Sequence, residues 1–410
     1  MKQNIFYYIV LLSIAFSSLL ILAAFFGGGG HKAESEDCFS TFDQGVRDKP
    51  IELQVYPLWH KHQTPGFQEQ LRNAARSVRP HFRLRKIPIV LVYHALRVWG
   101  PKSPSISVDH RLDSQREMDT SWLYRTLTDQ SYFEKYCRFT INSLLVPSPY
   151  GVRVVTTVDG DWGAEWGSSH VGKYLQVMAD LGVSPNAKLR MRHNRTARLV
   201  DVIRDEALRY DYSEEPEWIC CGLCRYLKLS QWRNRFGEDL SFEELARRLV
   251  VKPFGEGSCE GTHVPMALAT LLNVNERSQL ISSSMAEAIR ARLKEFSRHL
   301  STHQNSDGSW SLNWHNRRNS LDGSKNQFIP SWNGPILTTG HHLEWMMLCP
   351  PDLRPPPYIL DAAVLHLLRN LPDQRDIIES DFHAYMPASH AVRALLYAFD
   401  YQWACPDWLR

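Results

Sequence analysis

A cysteine and a histidine lie four residues apart in a glycine-rich stretch of this chain. Cys259 falls within residues 255–261, and His263 follows just after Thr262, where an apolar helix is predicted to begin. The positive end of a helix favours a thiolate, and residues four apart can share a helical face. The pair can therefore be a nucleophile with its base or two ligands of a zinc ion. A buried thiol beside a structural histidine is the third interpretation, and the spacing leaves all three open.

A second group of this kind opens another predicted helix, directly after Gly340. His341 and Glu344 are three residues apart and so share a face, whereas His342 points elsewhere. A carboxylate that orients an imidazole suits general acid–base catalysis. The same two residues also suit a metal site completed by Cys259 or His263. A histidine that only bonds a loop carbonyl is the structural alternative.

Acidic and aromatic residues lie between these two segments, at Asp307, Trp310, Trp314 and His315. At the mouth of a helical barrel, tryptophans can stack on sugar rings, and paired carboxylates are what glycoside hydrolysis requires. For Gln304 and Trp310, packing within a helix turn is the favoured interpretation. The candidate ligand-binding residues are His170, Asp307, Trp310, Trp314, His315, His342 and His390. The candidate carboxylates are Asp159, Asp161, Glu165, Glu260, Asp307 and Glu344.

The elements that must position these side chains are mainly helices. From His170 onward the apolar residues recur with helical spacing, and Gly182 ends the first such run. Short links with Gly, Pro or Asn join the segments, which favours helical hairpins stacked side by side. Residues 151–158 are β-branched and predict a strand or hairpin. The further helical segments lie near 196–210, 216–229, 241–252, 262–274, 284–302, 339–349, 358–371 and 387–401.

One segment resembles a known repeat. Residues 304–310, Gln-Asn-Ser-Asp-Gly-Ser-Trp, resemble the Gln-Trp repeat of the terpenoid cyclase and protein prenyltransferase toroids. The resemblance implies an all-α fold, an α/α toroid (a helical-hairpin barrel). The β-branched residues described above add a short β excursion near 150–160. The motif occurs once clearly, and the Asp-rich acid motif of the cyclases is absent, so cyclase chemistry is not implied.

A broader resemblance covers roughly residues 90–400. It is to uncharacterised exported proteins of planctomycete bacteria, and it implies fold and location but no activity. Residues 340–345 also resemble the Gly-His-x-x-Glu-Trp element of the N-acylglucosamine 2-epimerase barrels. The segments that carry the broader resemblance are 94–100, 169–175, 257–263, 307–314 and 338–345.

The N-terminus predicts a membrane anchor. No charged residue lies between Ile5 and Phe26, and these roughly 22 residues match the ~30 Å hydrocarbon core of a bilayer. A cleaved signal peptide is the alternative, but its apolar region would be shorter. Lys2 precedes the span and Lys32 is the first basic residue after it, so the positive-inside rule places the remainder outside the cytoplasm. The predicted divisions are a cytoplasmic tip 1–4, an anchor 5–26, a linker and membrane-proximal arm 27–86, and a toroid domain 87–410.

Composition narrows the function classes. Among 410 residues the net charge is only +3, which argues against nucleic acid as a partner. The eight cysteines would lie where disulfides are permitted, but Cys220, Cys221 and Cys224 predict a buried helix face in which Cys is a small hydrophobe. Two functions remain open. One is an acid–base enzyme, with zinc as a possible cofactor, acting on a glycan or cell-envelope substrate. The other is a non-catalytic scaffold that binds carbohydrate or protein.

Overall fold

The predicted all-α class is confirmed over the residues that the structure describes. The structure is a computed structural model, which describes residues 42–58, 65–82, 87–102, 106–109, 114–117, 121–137, 143–156, 170–316, 333–380, 382–404 and 407. The chain divides after Gly45, and Val46–Arg410 form one unit. The α-helices are α1 (Pro65–Ser77), α2 (Ile89–Trp99), α3 (Trp122–Thr128), α4 (Gln130–Tyr136), α5 (Lys173–Asp180), α6 (Leu199–Arg209), α7 (Pro216–Tyr226), α8 (Phe242–Val250), α9 (His263–Ser278), α10 (Ser283–His303), α11 (Asn333–Met347), α12 (Pro357–Asp373), α13 (Arg375–Ser380) and α14 (Phe382–Ala398).

Short strands interrupt the helices. The hairpin β4–β5 lies where the sequence predicts one, with Leu145 opposite Val154. The small sheet β1–β2–β3 and the hairpins β6–β7 and β8–β9 were not predicted, because strands this short show no alternating pattern. The strands are β1 (His81–Phe82), β2 (Ile106–Asp109), β3 (Ser114–Glu117), β4 (Leu145–Ser148), β5 (Gly151–Val154), β6 (Lys188–Arg190), β7 (Thr196–Arg198), β8 (Gln231–Arg233) and β9 (Asp239–Ser241).

Six of these helices contact one another in a closed cycle. α2 packs on α5, α5 on α7, α7 on α9, α9 on α11, α11 on α14, and α14 on α2. The other helices alternate with these along the chain and pack against them: α3 on α2, α6 and α8 on α7, α10 on α9, and α12 on α11 and α14. Burial follows the same division, since α7 is buried on all sides and α10 along one stripe. We call the closed cycle of α2, α5, α7, α9, α11 and α14 the helical ring.

An extended segment, residues 46–58, crosses one end of the helical ring. Its backbone bonds to Tyr226, Asn273, Met347 and Ala398, which lie at or near the C-terminal ends of α7, α9, α11 and α14. The carbonyls at helix C-termini lack partners within their own helices, so the segment satisfies several of them. Residues 46–58 and α1, which lie within the predicted arm 27–86, belong to the same unit as the helices of the ring. The sequence pattern does not predict this packing, because these residues are polar and the packing depends on backbone hydrogen bonds.

The structure describes six of the eight cysteines but not the predicted anchor. Cys220, Cys221 and Cys224 are buried on α7, which confirms the predicted apolar role. No disulfide joins the six cysteines that the structure describes.

The predicted anchor, Ile5 to Phe26, lies outside the described residues. Among the helices that are described, none combines the length and the apolar character that crossing a bilayer requires.

Candidate functional site

The loop that carries Cys259 is tightly folded. Backbone φ is positive at Cys259 (+50°) and Glu260 (+54°), and at the three glycines of residues 255–261. Each non-glycine residue in this conformation costs roughly 1 kcal/mol or more, so surrounding contacts must hold it. Trp314 Nε1 donates to the Glu260 carbonyl at 2.9 Å, and Ser258 Oγ donates to a Glu215 oxygen at 2.7 Å. The loop is therefore pinned on both sides of Cys259.

Cys259, His263 and His341 converge. One potential ligand atom from each lies within 4.8 Å of the other two. The convergence differs in origin from the predicted helical face, because α9 begins only at His263 and Cys259 precedes it. The positive-φ turn, not helical spacing, folds the thiol back over the helix start. His263 and His341 are buried, whereas Cys259 is partly exposed, so the group is open on the thiol side.

His341 belongs to a second trio, with Glu344 and His390, whose potential ligand atoms also lie within 4.8 Å of one another. Oε2 of Glu344 is 2.7 Å from Nδ1 of His390 and 3.5 Å from Nδ1 of His341. His341 is only 1% exposed, yet neither of its ring nitrogens makes a hydrogen bond of ordinary geometry to a described residue. The imidazole thus joins the two trios with both nitrogens unsatisfied.

Arginines hold the other oxygen of Glu344. Oε1 lies 3.3 Å from both Arg97 Nη2 and Arg393 Nε. Burial alone would raise the pKa of Glu344, but Arg97, His341 and Arg393 lower it below its ordinary value. The carboxylate therefore stays ionised and orients His341, and it is a poor proton acceptor. His342, the neighbour of His341, points away as predicted and accepts a bond from Trp345 Nε1 at 3.2 Å.

Sequence reasoning missed the arginines and their second acid. Asp180, the last residue of α5, binds Arg97 (3.0 Å), Arg225 (2.6 Å) and Arg393 (3.0 Å), which belong to three other helices of the ring. All four side chains are buried. The available signal was charge at positions where helical periodicity requires apolar residues, as at Arg97 inside the apolar stretch 87–99.

Burial sets the protonation of the remaining imidazoles. It lowers the pKa of His94, His263 and His390 well below the ordinary histidine value, so these rings are neutral. For His341, burial would also lower the pKa, but Cys259 and Glu344 raise it above the ordinary value. Neutral imidazole is the form that binds metals or accepts a proton. The centre thus combines neutral histidines with the imidazole of His341, whose surroundings favour a bound proton or metal cation.

His170 lies at the edge of the centre. Its ring stacks on Trp218 at 4.6 Å, and the Trp218 ring is in turn 4.2 Å from that of His263. Nδ1 of His170 is 2.6 Å from Glu215, the residue that also holds Ser258. Lys173 Nζ lies 4.9 Å from the Trp218 ring centre, and burial lowers its pKa to about 8. These residues border the thiol side of the centre.

The predicted aromatic residues lie elsewhere. Trp310 is fully buried and donates to the Leu300 carbonyl at 2.9 Å. Trp314 is also buried, and both rings pack edge-on against His342. Gln304 Nε2 donates to the Gly308 carbonyl at 2.9 Å, which is helix-turn packing. Neither tryptophan presents a free face to a sugar ring.

The other predicted ligand residues do not join the centre either. Asp307 accepts bonds from Ser309 and lies 3.4 Å from His366 Nδ1, with its side chain largely exposed. The ring of His315 fills the space beside Gly255, behind the Cys259 loop. The candidate carboxylates Asp159, Asp161 and Glu165 lie outside the described residues. The centre therefore consists of Cys259, His263, His341, Glu344 and His390, with His170 at its edge.

Known proteins provide no independent guide to this centre. No family model, curated protein or solved structure matched the chain.

Proposed function

We propose that this chain is an enzyme whose reaction centre is formed by Cys259, His263, His341 and Glu344 inside an α/α toroid. The toroid is supported by the closed contact cycle of six helices and by the helices that alternate with them along the chain. In such a helical-hairpin barrel the inner helices enclose the centre. Because the inner helices here carry every member of the two trios except Cys259, the ring is a rigid frame for them.

The observation that carries the proposal is the convergence of one thiol and two imidazoles within 4.8 Å, beside an ionised carboxylate. A buried polar atom without a partner costs about 1–3 kcal/mol. Neither nitrogen of His341 makes a hydrogen bond of ordinary geometry, and the Glu344 carboxylate at 3.5 Å offsets only part of this cost. Costs of this kind concentrate at functional sites, where the unsatisfied atoms meet a ligand.

The centre suits hydrolysis or group transfer at a polarised carbon or phosphorus atom. Cys259 supplies a thiol at the open side, His263 and His341 can bind or move a proton, and Glu344 orients His341. Hydrolysis by two facing carboxylates is less well supported, because Arg97 and Arg393 occupy one oxygen of Glu344. The predicted anchor favours a site outside the cytoplasm, with a cell-envelope polymer such as a glycan as the substrate.

The scaffold alternative is less well supported, because Trp310 and Trp314, the two tryptophans proposed as ligand-binding residues, are buried.

The full-length protein can be tested on chromogenic esters, phosphoesters and glycosides, and on purified cell-envelope glycans. His341→Ala is the test variant. His366→Ala is the matched control, because His366 is also largely buried and near an acid but lies outside the centre. Turnover that disappears in His341→Ala and persists in His366→Ala supports the enzyme. Turnover that survives in both variants contradicts this centre, and no turnover on any substrate class favours the scaffold.

A further inference from the structure

We infer that the chain binds one zinc ion through Cys259, His263 and His341, with the fourth position open to water or substrate. The inference deepens the proposed function and relies on it for any catalytic role of the metal. Metal binding itself stands on the geometry alone.

Distances are the first support. In a tetrahedral zinc site with metal–ligand bonds of about 2.0–2.3 Å, the ligand atoms lie roughly 3.5 Å apart. The three atoms here lie within 4.8 Å of one another, so side-chain rotations closing the group by about 1 Å complete the site. Cys259 belongs to a loop and is only partly buried, so its side chain is less confined than those of the two buried histidines.

The unsatisfied imidazole is an independent support. His341 is 1% exposed and both of its nitrogens lack a hydrogen bond of ordinary geometry to the described residues. Nδ1 is 3.5 Å from Glu344, which leaves Nε2 for the trio with Cys259 and His263. Metal-bound histidines usually direct their second nitrogen at a carboxylate, which fixes the ring. One zinc ion would satisfy the free nitrogen and explain the position of Glu344.

The surrounding charges select between the two trios. Glu344 already faces Arg97 and Arg393 at 3.3 Å and His390 at 2.7 Å, and these arginines would repel a metal ion bound to the carboxylate. Glu344 is therefore expected to orient His341, which binds the metal, and not to bind the metal itself. The trio with Cys259 contains the sulfur, a zinc ligand, and does not depend on a carboxylate that two arginines already hold.

Ligand chemistry selects the metal. One cysteine sulfur and two imidazole nitrogens are ligands that favour zinc over magnesium or calcium, which prefer oxygen. Three protein ligands are the pattern of zinc sites that keep a position for water or substrate. Glu215, Ser258 and Trp218 hold the loop and border this position, so they are expected to affect how the thiol is presented.

The test is metal content of the full-length protein, purified without chelators, by elemental mass spectrometry. About one zinc per chain is expected, with at least a tenfold loss in Cys259→Ala, His263→Ala and His341→Ala. Cys349→Ala and His366→Ala are matched controls, because both residues are buried and lie outside the trio. Circular dichroism shows whether each variant folds. Folded wild-type protein without zinc, even after incubation with zinc, overturns the inference, as does zinc that all three ligand variants retain.

Cobalt substitution provides a readout that does not depend on activity. Co²⁺ in this site should show tetrahedral visible bands and a thiolate charge-transfer band that disappears in Cys259→Ser. Iron or copper as the bound metal would overturn the assignment to zinc. Zinc at this site without any turnover contradicts the enzyme but not the metal site. Turnover that requires His341 in protein that cannot bind zinc contradicts the metal site but not the enzyme.

Discussion

Nδ1 of His390 lies 2.7 Å from Oε2 of Glu344, inside the helical ring, where the opposite oxygen of the same carboxylate faces two arginines. His390 comes from α14 and Glu344 from α11, so this contact joins two helices of the ring. Glu344 is thus at once the partner of the candidate centre and the counter-ion of Arg97 and Arg393. Its two roles make separate predictions.

Removing the charge of Glu344 should destabilise the fold. Glu344→Gln leaves Arg97 and Arg393 with Asp180 as their remaining buried carboxylate among the described residues, and breaking a buried ion pair typically costs about 3–5 kcal/mol. We expect the free energy of unfolding in urea to fall by about 3 kcal/mol. The control is Glu287→Gln, at an exposed pair 3.9 Å long, which should change it by less than about 0.5 kcal/mol. Equal effects for both variants would contradict the buried network.

The Cys259 loop should be sensitive to its glycines. Gly261 has φ +73°, and a Cβ there would lie 2.9 Å from backbone atoms of Gly255. Gly261→Ala should therefore shift Cys259 and weaken zinc binding at least tenfold, as measured by competition with a chelating dye. Gly182→Ala is the matched control, because its φ is +68° but no atom lies within 4 Å. It carries the same backbone strain and should leave zinc affinity unchanged. Unchanged affinity in Gly261→Ala would show that the loop does not position the thiol.

Glu206 should make stability depend on pH. Burial raises the pKa of Glu206 to about 8, and its Oε2 has no hydrogen-bond partner among the described residues. The folded protein then keeps this proton up to about pH 8, whereas the unfolded chain releases it near its ordinary pKa of 4.5. The folded state binds more protons in that interval, so the contribution of Glu206 to stability falls as pH rises from 4.5 to 8, by at most ~1.4 kcal/mol per pH unit.

Glu206→Gln removes this dependence. Relative to wild type, the variant should gain stability between pH 5 and pH 8 in urea unfolding, with no further relative gain above about pH 8. Glu287→Gln, at an exposed site, should follow the wild-type curve. A wild-type curve parallel to that of Glu206→Gln would mean that the carboxyl is ionised in the folded protein.

Segment 46–58 should depend on a single amide side chain. Asn273 Nδ2 donates to the Gln54 carbonyl at 2.8 Å, and Asn273 Oδ1 accepts from Gln54 N at 3.0 Å. Asn273→Ala removes both bonds, so hydrogen exchange at Gln54 should accelerate at least tenfold. Asn194→Ala, at an exposed position of the β6–β7 loop, should leave that exchange unchanged. Unchanged protection in Asn273→Ala would mean that the other backbone bonds suffice to hold the segment.

Parts of this protein were predictable because they depend on neighbouring residues alone. The helical run from Val171 ends before Gly182, where φ is +68°, and the β-branched stretch after Gly151 forms a hairpin. Cys220, Cys221 and Cys224 are buried as predicted. Strands such as β6 and β8 escaped prediction because three residues give no periodicity. The membrane anchor remains a prediction from charge and hydropathy.

For the candidate site, the residues were predicted from the sequence, but part of their geometry was not. Local spacing singled out Cys259, His263, His341 and Glu344, and a helix period alone correctly separated His342 from His341. The helix begins close to Thr262 as predicted, too late for Cys259 and His263 to share a helical face, and a positive-φ turn brings the two together instead. Sequence patterns do not show such turns where non-glycine residues adopt them. Trp310 is buried in helix-turn packing, the interpretation favoured for it, whereas Trp314, a candidate sugar platform, is buried because the loop folds inward against α10 and His342.

By itself, the sequence determined the helical class, the starts of several helices and the residue types capable of chemistry, because periodicity, capping and spacing are local properties. Two starts were wrong: α11 begins at Asn333 and not directly after Gly340, and α14 begins at Phe382 and not near 387. Only the tertiary structure decided which of those residues meet. His263, His341 and His390 come from α9, α11 and α14, and the arginines that hold Glu344 come from α2 and α14. Their proximity arises from packing of helices distant in the chain. Burial inside that ring then decides which side chains are charged, since desolvation and ion pairing depend on the whole set of neighbours.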